Sequence, residues 1–513
     1  MNTTETGYPI HPKGEAEKSA PSAIAVETFG GRVHVEWDPQ AAVTPLGQLP
    51  FFIEFLKTAE LFEPWVKECP LTYASPNAPS KRDVLGTILL SILSGHKRYA
   101  HITSIRADSV NPQLLGMSKV VSEDSVRRAF RSVEERACAK WQMHHLGRCY
   151  EPLLYEPWIL DLDTTVKPLY GHQEGAKVGF NPHKPGRPSH VYHTYFVANL
   201  RLVLDVEVQA GNQTAAKYLR PEFFKFLARL PRQAWPKFLR GDCGFGNEGM
   251  MKEAEERRLP YLFKLRQSKN VKRLIAEAFE RDDWVPAGQR WEGVEDELRL
   301  SGWSKRRRVI VLRRELKGEL ALAAATDSGQ LQFAFIETLD RVKKYEYAVL
   351  ITDLADEILT LAQHYRDRAD AENPFDELKN QWSWGGFTTQ DIKRCQVMAR
   401  HAALIYNWWS LFVRLAIPEK HAEAITSRPL LLHAVAKKTS HAGQTRVTIT
   451  STHAKADQIR QVLSKLTVFF SFLRTTAEQL NWQQRWRIIL SRIFIKFLGG
   501  RLLAAPKAIE NFT

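Results

Sequence analysis

Four residues in the last third of the chain most constrain what it can form, because they fall on one side of a single helix. Tyr365, Arg368, Glu372 and Lys379 stand at offsets 0, 3, 7 and 14. At about 100° per residue they share an arc about 60° wide. The surrounding run DEILTLAQHYRDRADAE has no glycine and is rich in helix-forming residues. The predicted helix therefore presents a phenol, two cations and a carboxylate together.

Pro374 interrupts this run two residues after Glu372. A proline inside a helix removes a hydrogen bond and usually kinks the axis, which would move Lys379 off the shared face. Alternatively, one helix ends at Asn373 and a second begins at Pro374. Glu372 itself is little affected in either case.

Two upstream segments place aspartates at the ends of predicted strands. In EPWILDLDTTVKPLYG, alternating apolar residues indicate a strand with Asp161 and Asp163 on one face. In WPKFLRGDCGFGNEGMMKEAEE, a short apolar strand runs into Asp242, then a glycine-flanked turn and a helix from about Asn247. Glycines let the backbone turn sharply and approach a ligand closely. Taken alone, the Asp242 segment is typical of an ordinary turn.

The helical pattern resembles, residue for residue, the Y-(2)-R-(3)-E-(6)-K motif of bacterial insertion-sequence transposases of the IS4-like group, and the whole chain is most similar to their IS1380 branch. In that group the Glu completes an Asp-Asp-Glu triad that holds divalent metal. The resemblance implies that Asp163, Asp242 and Glu372 are the catalytic, metal-binding residues. Asp163 fits the family's D-x-T segment directly, and Asp161 is the fallback for the first position.

The same resemblance implies that Tyr365, Arg368 and Lys379 contact the transposon end near the scissile bond. Arginine grips a phosphate in bidentate fashion, lysine supplies a point charge, and a phenol stacks on a base or donates to a phosphate. A solvated helix face is the general alternative for charged residues at this spacing.

Carboxylates suit the chemistry that this family performs. In-line displacement at a phosphodiester needs an activated nucleophile and a stabilised leaving oxygen, which two divalent ions about 3.5–4 Å apart provide. Mg²⁺ prefers oxygen ligands and keeps several waters, so a few carboxylates suit it. The expected cofactor is two Mg²⁺ ions, with Mn²⁺ as a substitute.

The order of predicted elements indicates an α/β fold with a ribonuclease-H-like catalytic core. Three antiparallel strands followed by alternating helix and strand would bring the ends of the first and fourth strands side by side. The predicted elements are a strand at about 158–166, strands His190–Asn199 and Arg201–Val208, a helix Ala215–Leu230, the strand before Asp242, a helix Asn247–Arg257 and a strand Tyr261–Leu265.

Around this core, composition and periodicity predict a β-rich insertion and helical N- and C-terminal regions. The tail from about 481 has an apolar side that fits core packing on sequence alone and dimerisation by family resemblance. The predicted regions are 1–45, a mobile tail; 46–150, a helical DNA-binding region; 151–266, the first part of the core; 267–345, the insertion; 346–400, the second part with the Glu372 helix; and 401–513, a helical region for dimerisation or DNA.

Basic residues in three places are candidate DNA contacts. Clusters in the insertion, with tryptophans nearby, suit phosphate neutralisation and base stacking. A helix capped near Ser122 is a candidate recognition helix, although a generic basic helix is about equally consistent. The loop NPHKPGRPSH resembles a stretch of the IS1380 branch. The histidines in and after it, His183, His190 and His193, do not have the spacing that is usual for zinc ligands. The candidates are Arg306 and Arg307 in the insertion, Arg127 and Arg128 in the helix, and Lys184 and Arg187 in the loop.

Composition agrees with a polyanionic partner. Lys and Arg total 72 against 57 Asp and Glu, a net charge of +15, and the pI is near 9.5. An acidic membrane would fit the charge equally well, but no apolar run reaches the ~18 residues that span a bilayer. The five cysteines include no CxxC pair, which favours a reduced, cytoplasmic, nucleoid-associated location without zinc.

These patterns together predict a metal-dependent DNA transposase that cuts and pastes an insertion sequence. The expected partners are the terminal inverted repeats, target DNA and a second copy of the chain, with no membrane. A hairpin intermediate on the transposon end is implied by resemblance only. Two alternatives stay open: a catalytically silent, domesticated DNA-binding protein, and a structure-specific nuclease that cuts without joining.

Overall fold

The computed structural model describes residues 23–73, 75–181, 184–213, 215, 218, 220–316, 344–450, 454–476 and 480–504, without the side chains of 220 and 369–373. The chain forms two compact units, Met1–Ala42 and Val43–Thr513. In the first, β1 (Ile24–Thr28) and β2 (Gly31–Val35) pair as an antiparallel hairpin whose side chains are exposed. A hairpin thus lies within the tail that was expected to be mobile.

The second unit begins with β3 (Val43–Thr44) and a helical region. Ser80 and Ser122 cap two of its helices by accepting the backbone N–H groups of Asp83 and Ser125, and the cap at Ser122 is the one that the sequence predicts. The helices are α1 (Leu49–Thr58), α2 (Phe62–Lys67), α3 (Lys81–Leu93), α4 (Asn111–Leu114), α5 (Glu123–Ala129) and α6 (Glu135–Tyr150).

A mixed sheet follows, built first from alternating strands and helices. Strands β6 and β7 are buried over most of their length, as is the start of β4, so both faces of this part of the sheet must be covered. The elements are β4 (Ile159–Pro168), β5 (Lys177–Val178), β6 (Pro188–Val197), β7 (Leu202–Ala210), α7 (Arg220–Leu227), β8 (Phe238–Gly241), α8 (Glu248–Glu256) and β9 (Tyr261–Lys264).

These strands are arranged in the order β7-β6-β4-β8-β9. The pairs β4–β6 and β6–β7 are antiparallel, whereas β4–β8 and β8–β9 are parallel. The first and fourth long strands therefore lie side by side, which is the arrangement that the element order predicts for a ribonuclease-H-like core.

The segment predicted to be a β-rich insertion extends this sheet. It contributes α9 (Lys269–Phe279), β10 (Val285–Gly288), β11 (Trp291–Leu298) and β12 (Arg307–Glu315), and β13 (Tyr345–Thr352) follows. Strand β13 pairs with β9, and β12, β11 and β10 continue outward in turn. The predicted strands ELALAAATD and LQFAFIETL lie outside the described residues.

The rest of the chain is mainly helical. The elements are α10 (Ile358–Gln381), α11 (Ile392–Ala416), α12 (Ala424–Leu431), β14 (Ala436–His441), β15 (Gln444–Ile449), α13 (Ala456–Thr475) and α14 (Trp482–Ile493). In α14, Trp486 is buried and its ring N–H donates to the Arg148 carbonyl at 2.7 Å. The apolar side of the tail thus packs within its own chain. No helix in the described ranges is both long and apolar enough to cross a membrane.

Helix α11 covers the outer edge of the sheet with side-chain amides. Asn407 accepts from the Val203 N–H at 2.9 Å and donates to the Val203 carbonyl at 2.8 Å. Gln396 makes the same kind of pair with β7, at 2.6 Å to the Val208 N–H and 2.6 Å to the Val206 carbonyl. These amides satisfy backbone groups that would otherwise form an open edge.

Beneath α11, β7 carries two carboxylates with different partners. Arg400 holds Asp205 through two hydrogen bonds of 2.8 and 2.9 Å. Glu207 instead accepts from the Tyr195 hydroxyl at 3.1 Å. Burial, followed by the charge of Asp205, raises the pKa of the Glu207 carboxyl to about 7.

We expect the Glu207→Gln variant to lose less stability than the wild type on going from about pH 5 to about pH 8. Because the folded-state pKa is raised, the folded chain binds more protons between about pH 4.5 and 7, so the free energy of unfolding falls across that range. At about 1.4 kcal/mol per pKa unit, the difference is at most about 3 kcal/mol. Urea unfolding at both pH values measures it. The Glu297→Gln variant, at an exposed carboxylate, is the control; equal pH dependence in all three proteins would contradict the prediction.

Candidate active site

Two aspartates lie side by side at the point where β8 ends beside the middle of its parallel neighbour β4. The paired residues are Asp161 with Arg240 and Leu162 with Gly241. Asp163 is the next residue of β4 and Asp242 directly follows β8, so their backbones stand at neighbouring positions, about 4.8 Å apart in the direction of strand pairing. Both are only partly buried, which leaves their carboxylates accessible.

Asp161, the fallback for the first metal position, has a different role. Its carboxylate is fully buried and is held by Arg240, with Nε–Oδ1 at 2.6 Å and Nη2–Oδ2 at 2.8 Å. The third nitrogen of the same guanidinium donates to the His364 carbonyl in α10. Both oxygens of the Asp161 carboxylate are engaged in a buried ion pair, whereas Asp163 is only partly buried and remains the candidate for the first position.

Helix α10 crosses the ends of these strands and turns its cations toward Asp163. Arg368 Nη2 lies 3.6 Å from Asp163 Oδ1, and Lys379 Nζ lies 4.0 Å from Oδ2. Pro374 stands inside one continuous helix, so the alternative of two helices is not observed. Glu372 belongs to α10, but its side chain is outside the described part of the chain.

The charge of Arg368 is matched by the carboxylates around it. Burial works to lower the pKa of this guanidinium, yet the nearby carboxylates of Asp161, Asp163 and Asp242, together with the Tyr365 phenol, raise it above its usual range. A cation that is 4% exposed therefore stays ionised beside the site. Such a charge suits a group that must meet a phosphate.

Asp242 begins a tight turn into α8. Its Oδ1 accepts the Gly244 N–H at 2.9 Å, and Asn247 caps the helix by accepting the Met250 N–H at 3.1 Å. None of the three glycines near this turn, Gly241, Gly244 and Gly246, has a positive φ. The backbone freedom that the sequence suggested is therefore not the reason for glycine at these positions. A Cβ at Gly241 would lie 2.7 Å from the Phe245 ring, so close packing requires this glycine.

Metal binding at this position depends on a third ligand. Among the described side chains, no group of three or more His, Cys, Asp or Glu residues is arranged to hold a metal ion. Asp163 and Asp242 supply two hard oxygen donors of the type that Mg²⁺ prefers. The expected third donor is Glu372, from the helix that packs over both.

The family follows from a comparison made over most of the chain. Residues 77–469 match the family described as transposase DDE domain group 1. The chain belongs to this DDE transposase family. Among solved structures, it is similar to the piggyBac transposase synaptic complex with hairpin DNA determined by cryo-EM, at 12% identity and a TM-score of 0.39, covering 88% of this chain and 87% of that one. No curated protein matches. DDE transposases use divalent metal ions, a general property consistent with the paired aspartates.

Tyr365 also belongs to the helical pattern. Its side chain is half-buried and packs against an apolar cluster between α10 and the sheet. Its neighbours in that cluster include Phe238, Leu262 and Ile310. Tyr365 therefore has a packing role whether or not its phenol also meets DNA.

The two candidate DNA contacts in the insertion, Arg306 and Arg307, differ in exposure and in the partners of their side chains. Arg307, named as a DNA contact, is 2% exposed and is held by Glu248 at 2.6 Å and Glu255 at 2.7 Å. Because both carboxylates occupy it, the structure assigns it to an ion pair between β12 and α8 instead. Arg306 is 67% exposed and lies 3.8 Å from Glu297, so it stays a candidate contact.

The other two pairs of candidate contacts lie on the surface. Arg127 and Arg128 are exposed on α5, but Arg127 pairs with Asp124 and Arg128 Nε donates to the Asp124 carbonyl at 3.2 Å. Lys184 and Arg187 lie over the exposed Tyr170 ring, at 5.1 and 4.8 Å from its centroid. The hydroxyl of Tyr170 also accepts from Lys184.

The histidines near that loop give no support to a metal site. His183 lies outside the described residues. His190 Nε2 is 2.7 Å from the Glu174 carbonyl, which requires this nitrogen to carry the proton and donate. His193 is buried, and burial lowers the pKa of its imidazole to about 4.

Lys264 is a residue that the sequence reasoning missed. Gly241 pairs with Phe263 across the parallel strands β8 and β9. Lys264, the residue after Phe263, therefore stands level with Asp242, the residue after Gly241. The three neighbouring parallel strands therefore place Asp163, Asp242 and Lys264 in a row. The sequence signal that could have identified Lys264 was its place near the end of the predicted strand Tyr261–Leu265, the fifth strand of the core.

We expect Arg240→Met to lower the free energy of unfolding by about 3–5 kcal/mol, because it leaves the buried Asp161 carboxylate without its partner. The double variant Asp161→Leu/Arg240→Met should recover part of this loss, since no buried charge then remains. Urea unfolding measures all three proteins. Arg306→Met, at an exposed arginine, should change stability by no more than about 0.5 kcal/mol. A similar small effect for Arg240→Met would show that the ion pair does not hold these strands.

Proposed function

We propose that this DDE transposase cuts and pastes an insertion sequence of the IS4-like group, IS1380 branch, with the Tyr365, Arg368, Glu372 and Lys379 pattern as its signature helix. The observation that carries the proposal is that two cations of α10 meet at Asp163, which lies beside Asp242 on neighbouring parallel strands. Arg368 and Lys379 approach Asp163 to 3.6 and 4.0 Å from opposite sides of Pro374. Their convergence supports the helical pattern as one functional unit.

Asp163, Asp242 and Glu372 would hold two Mg²⁺ ions, with Mn²⁺ as a substitute. When bound, such ions activate a water or a 3′-hydroxyl and stabilise the leaving oxygen of an in-line displacement. The first displacement cleaves the element's end, and the freed 3′-hydroxyl then attacks target DNA. A hairpin on the transposon end would be an intermediate between these steps.

The chain's own cations position the DNA in this proposal. Arg368 has a buried guanidinium that stays charged, which suits a fixed phosphate contact beside Asp163. Lys379, with a side chain 40% exposed, reaches the same carboxylate from the solvent side. Lys264 adds a positive charge next to Asp242, where a developing oxyanion would gain from it.

A homodimer in a paired-end complex is also proposed. Support comes from α13, where Val468 and Phe472 are 71% and 59% exposed. They stand four residues apart and so share a helix face. An apolar helix face of this kind suits association with a second copy of the chain. The proposed location of the protein is the cytoplasm, at the nucleoid.

We expect Asp163→Asn, Asp242→Asn and Glu372→Gln each to lower Mg²⁺-dependent cleavage at the element's end by about 1000-fold or more, since the lost stabilisation amounts to several kcal/mol. The assay uses purified protein and a labelled duplex carrying the inverted repeats that flank the gene. DNA binding should persist in all three variants. Asp367→Asn is the matched control, because Asp367 is exposed on the same helix and accepts only from Gln363 among the described contacts, at 2.6 Å.

The products distinguish the proposal from its alternatives. Nicks at the repeat boundary followed by joined products support transposition. Cleavage without joining in the presence of target DNA would indicate a structure-specific nuclease. Repeat-specific binding without cleavage by the wild type, with either metal, would indicate a silent DNA-binding protein. Full activity in Glu372→Gln would show that the third ligand is misassigned.

A further inference from the structure

Three cations from two distant segments lie together near the end of β4, the strand that carries Asp163. Lys97 and Arg98 are exposed at the turn after α3, and Lys167 is half-buried near the end of β4. One turn, at Gly385–Phe387 just after α10, contacts both segments. The Phe387 N–H donates to the Lys97 carbonyl at 2.9 Å.

The turn also packs directly on Lys167. A Cβ at Gly385 would lie 3.0 Å from Lys167 Cδ, and Gly385 has a φ of +70°, which only glycine adopts readily. Just before it, Ser383 donates its hydroxyl to the His96 carbonyl. The turn thus fixes where the three cations stand relative to one another, and we name them the 97–167 cluster.

No carboxylate pairs with the 97–167 cluster in the part of the chain that the structure describes. The contrast with β12 is clear: there Arg307, Arg308, Arg313 and Arg314 each have a glutamate partner, at 2.6 to 2.8 Å. Burial and then the charges of Lys97 and Arg98 lower the pKa of Lys167 below its usual range. The cluster holds like charges together without the counter-charge that the rest of the fold supplies.

The cluster is in line with the catalytic strand. Side chains alternate along a strand, so Lys167 shares a face of β4 with Asp163 and Thr165. Lys167 is four residues after Asp163, and at roughly 3.3 Å per residue the two stand about 13 Å apart along the strand. This distance is close to the length of four base-pair steps of duplex DNA, at about 3.4 Å of axial rise per step. Lys184 and Arg187 continue the positive charge beyond it, on the Tyr170 ring.

We propose that Lys97, Arg98 and Lys167 form a binding site for the phosphodiester backbone of duplex DNA, which holds the duplex a few base pairs from the phosphate that is cut. The site rests on the proposed function and deepens it. The cations supply the counter-charge that DNA phosphates require, and the Gly385 turn couples their placement to the helix that carries Glu372.

The test compares salt dependence of DNA binding by the wild type and by Lys97→Ala/Arg98→Ala/Lys167→Ala, without divalent metal. Each neutralised phosphate contributes about 0.9 to the slope of log K against log salt, so the slope should fall by about 2.7. The control Lys269→Ala/Lys272→Ala/Arg273→Ala removes the same charge from exposed positions on α9 and should keep the wild-type slope. Lys167→Arg should keep it too.

Two duplexes of equal length identify the source of the phosphates. A fall in slope confined to the duplex with the element's repeat indicates a site for the transposon end, whereas a fall on a scrambled duplex also indicates target DNA. If the triple variant fails to fold, Lys97→Ala/Arg98→Ala alters only exposed residues and should lower the slope by about 1.8. An unchanged slope, or an equal fall in the α9 control, overturns the inference. Wild-type cleavage with an unchanged slope would overturn only this site, whereas a wild type that neither binds nor cuts DNA would overturn the proposed function as well.

Discussion

The Asp161–Arg240 ion pair aligns the parts of the site with one another. Asp161 and Arg240 are paired across parallel strands, and Asp163 and Asp242 each follow two residues later. The equal offset places the two site aspartates at neighbouring positions. The same guanidinium bonds the His364 carbonyl, one helical turn before Arg368. One side chain therefore ties β4, β8 and α10 into a single register, and its two hydrogen bonds to Asp161 offset the several kcal/mol that burying each charge costs.

Much of the fold could be predicted because its signals are local. Alternation defines the strands, Ser80 and Ser122 mark helix starts, and the order of elements predicts that the first and fourth strands, β4 and β8, lie side by side. The choice between Asp161 and Asp163 could not be settled with certainty from local pattern, since both occupy one strand face. What separates them is Arg240, which is 79 residues away from Asp161 in sequence. A motif gives the residue type, but a distant partner decides whether the carboxylate is free to bind.

The same limit explains the basic residues. Sequence shows Arg306 and Arg307 as neighbours of equal promise, yet Arg306, just before β12, is exposed, whereas Arg307 is buried against Glu248 and Glu255. Conversely, Lys97 and Arg98 carry no local signal, because the turn at Gly385–Phe387 that brings them to Lys167 is almost 300 residues away in sequence. Whether a cation serves the fold or a ligand depends on which carboxylates the tertiary structure brings to it.

Net charge alone therefore says little about where DNA binds. The excess of +15 is spread over a chain in which many arginines are already neutralised by glutamate or aspartate. A phosphate gains most from cations that no carboxylate has claimed, because displacing an existing partner offsets the energy of the new contact. By this reasoning, the β12 arginines mainly stabilise the extended sheet. Among the described residues, Lys264 beside Asp242 and Lys167 about 13 Å along β4 from Asp163 have no carboxylate partner, so positive charge there gains most from a phosphate chain.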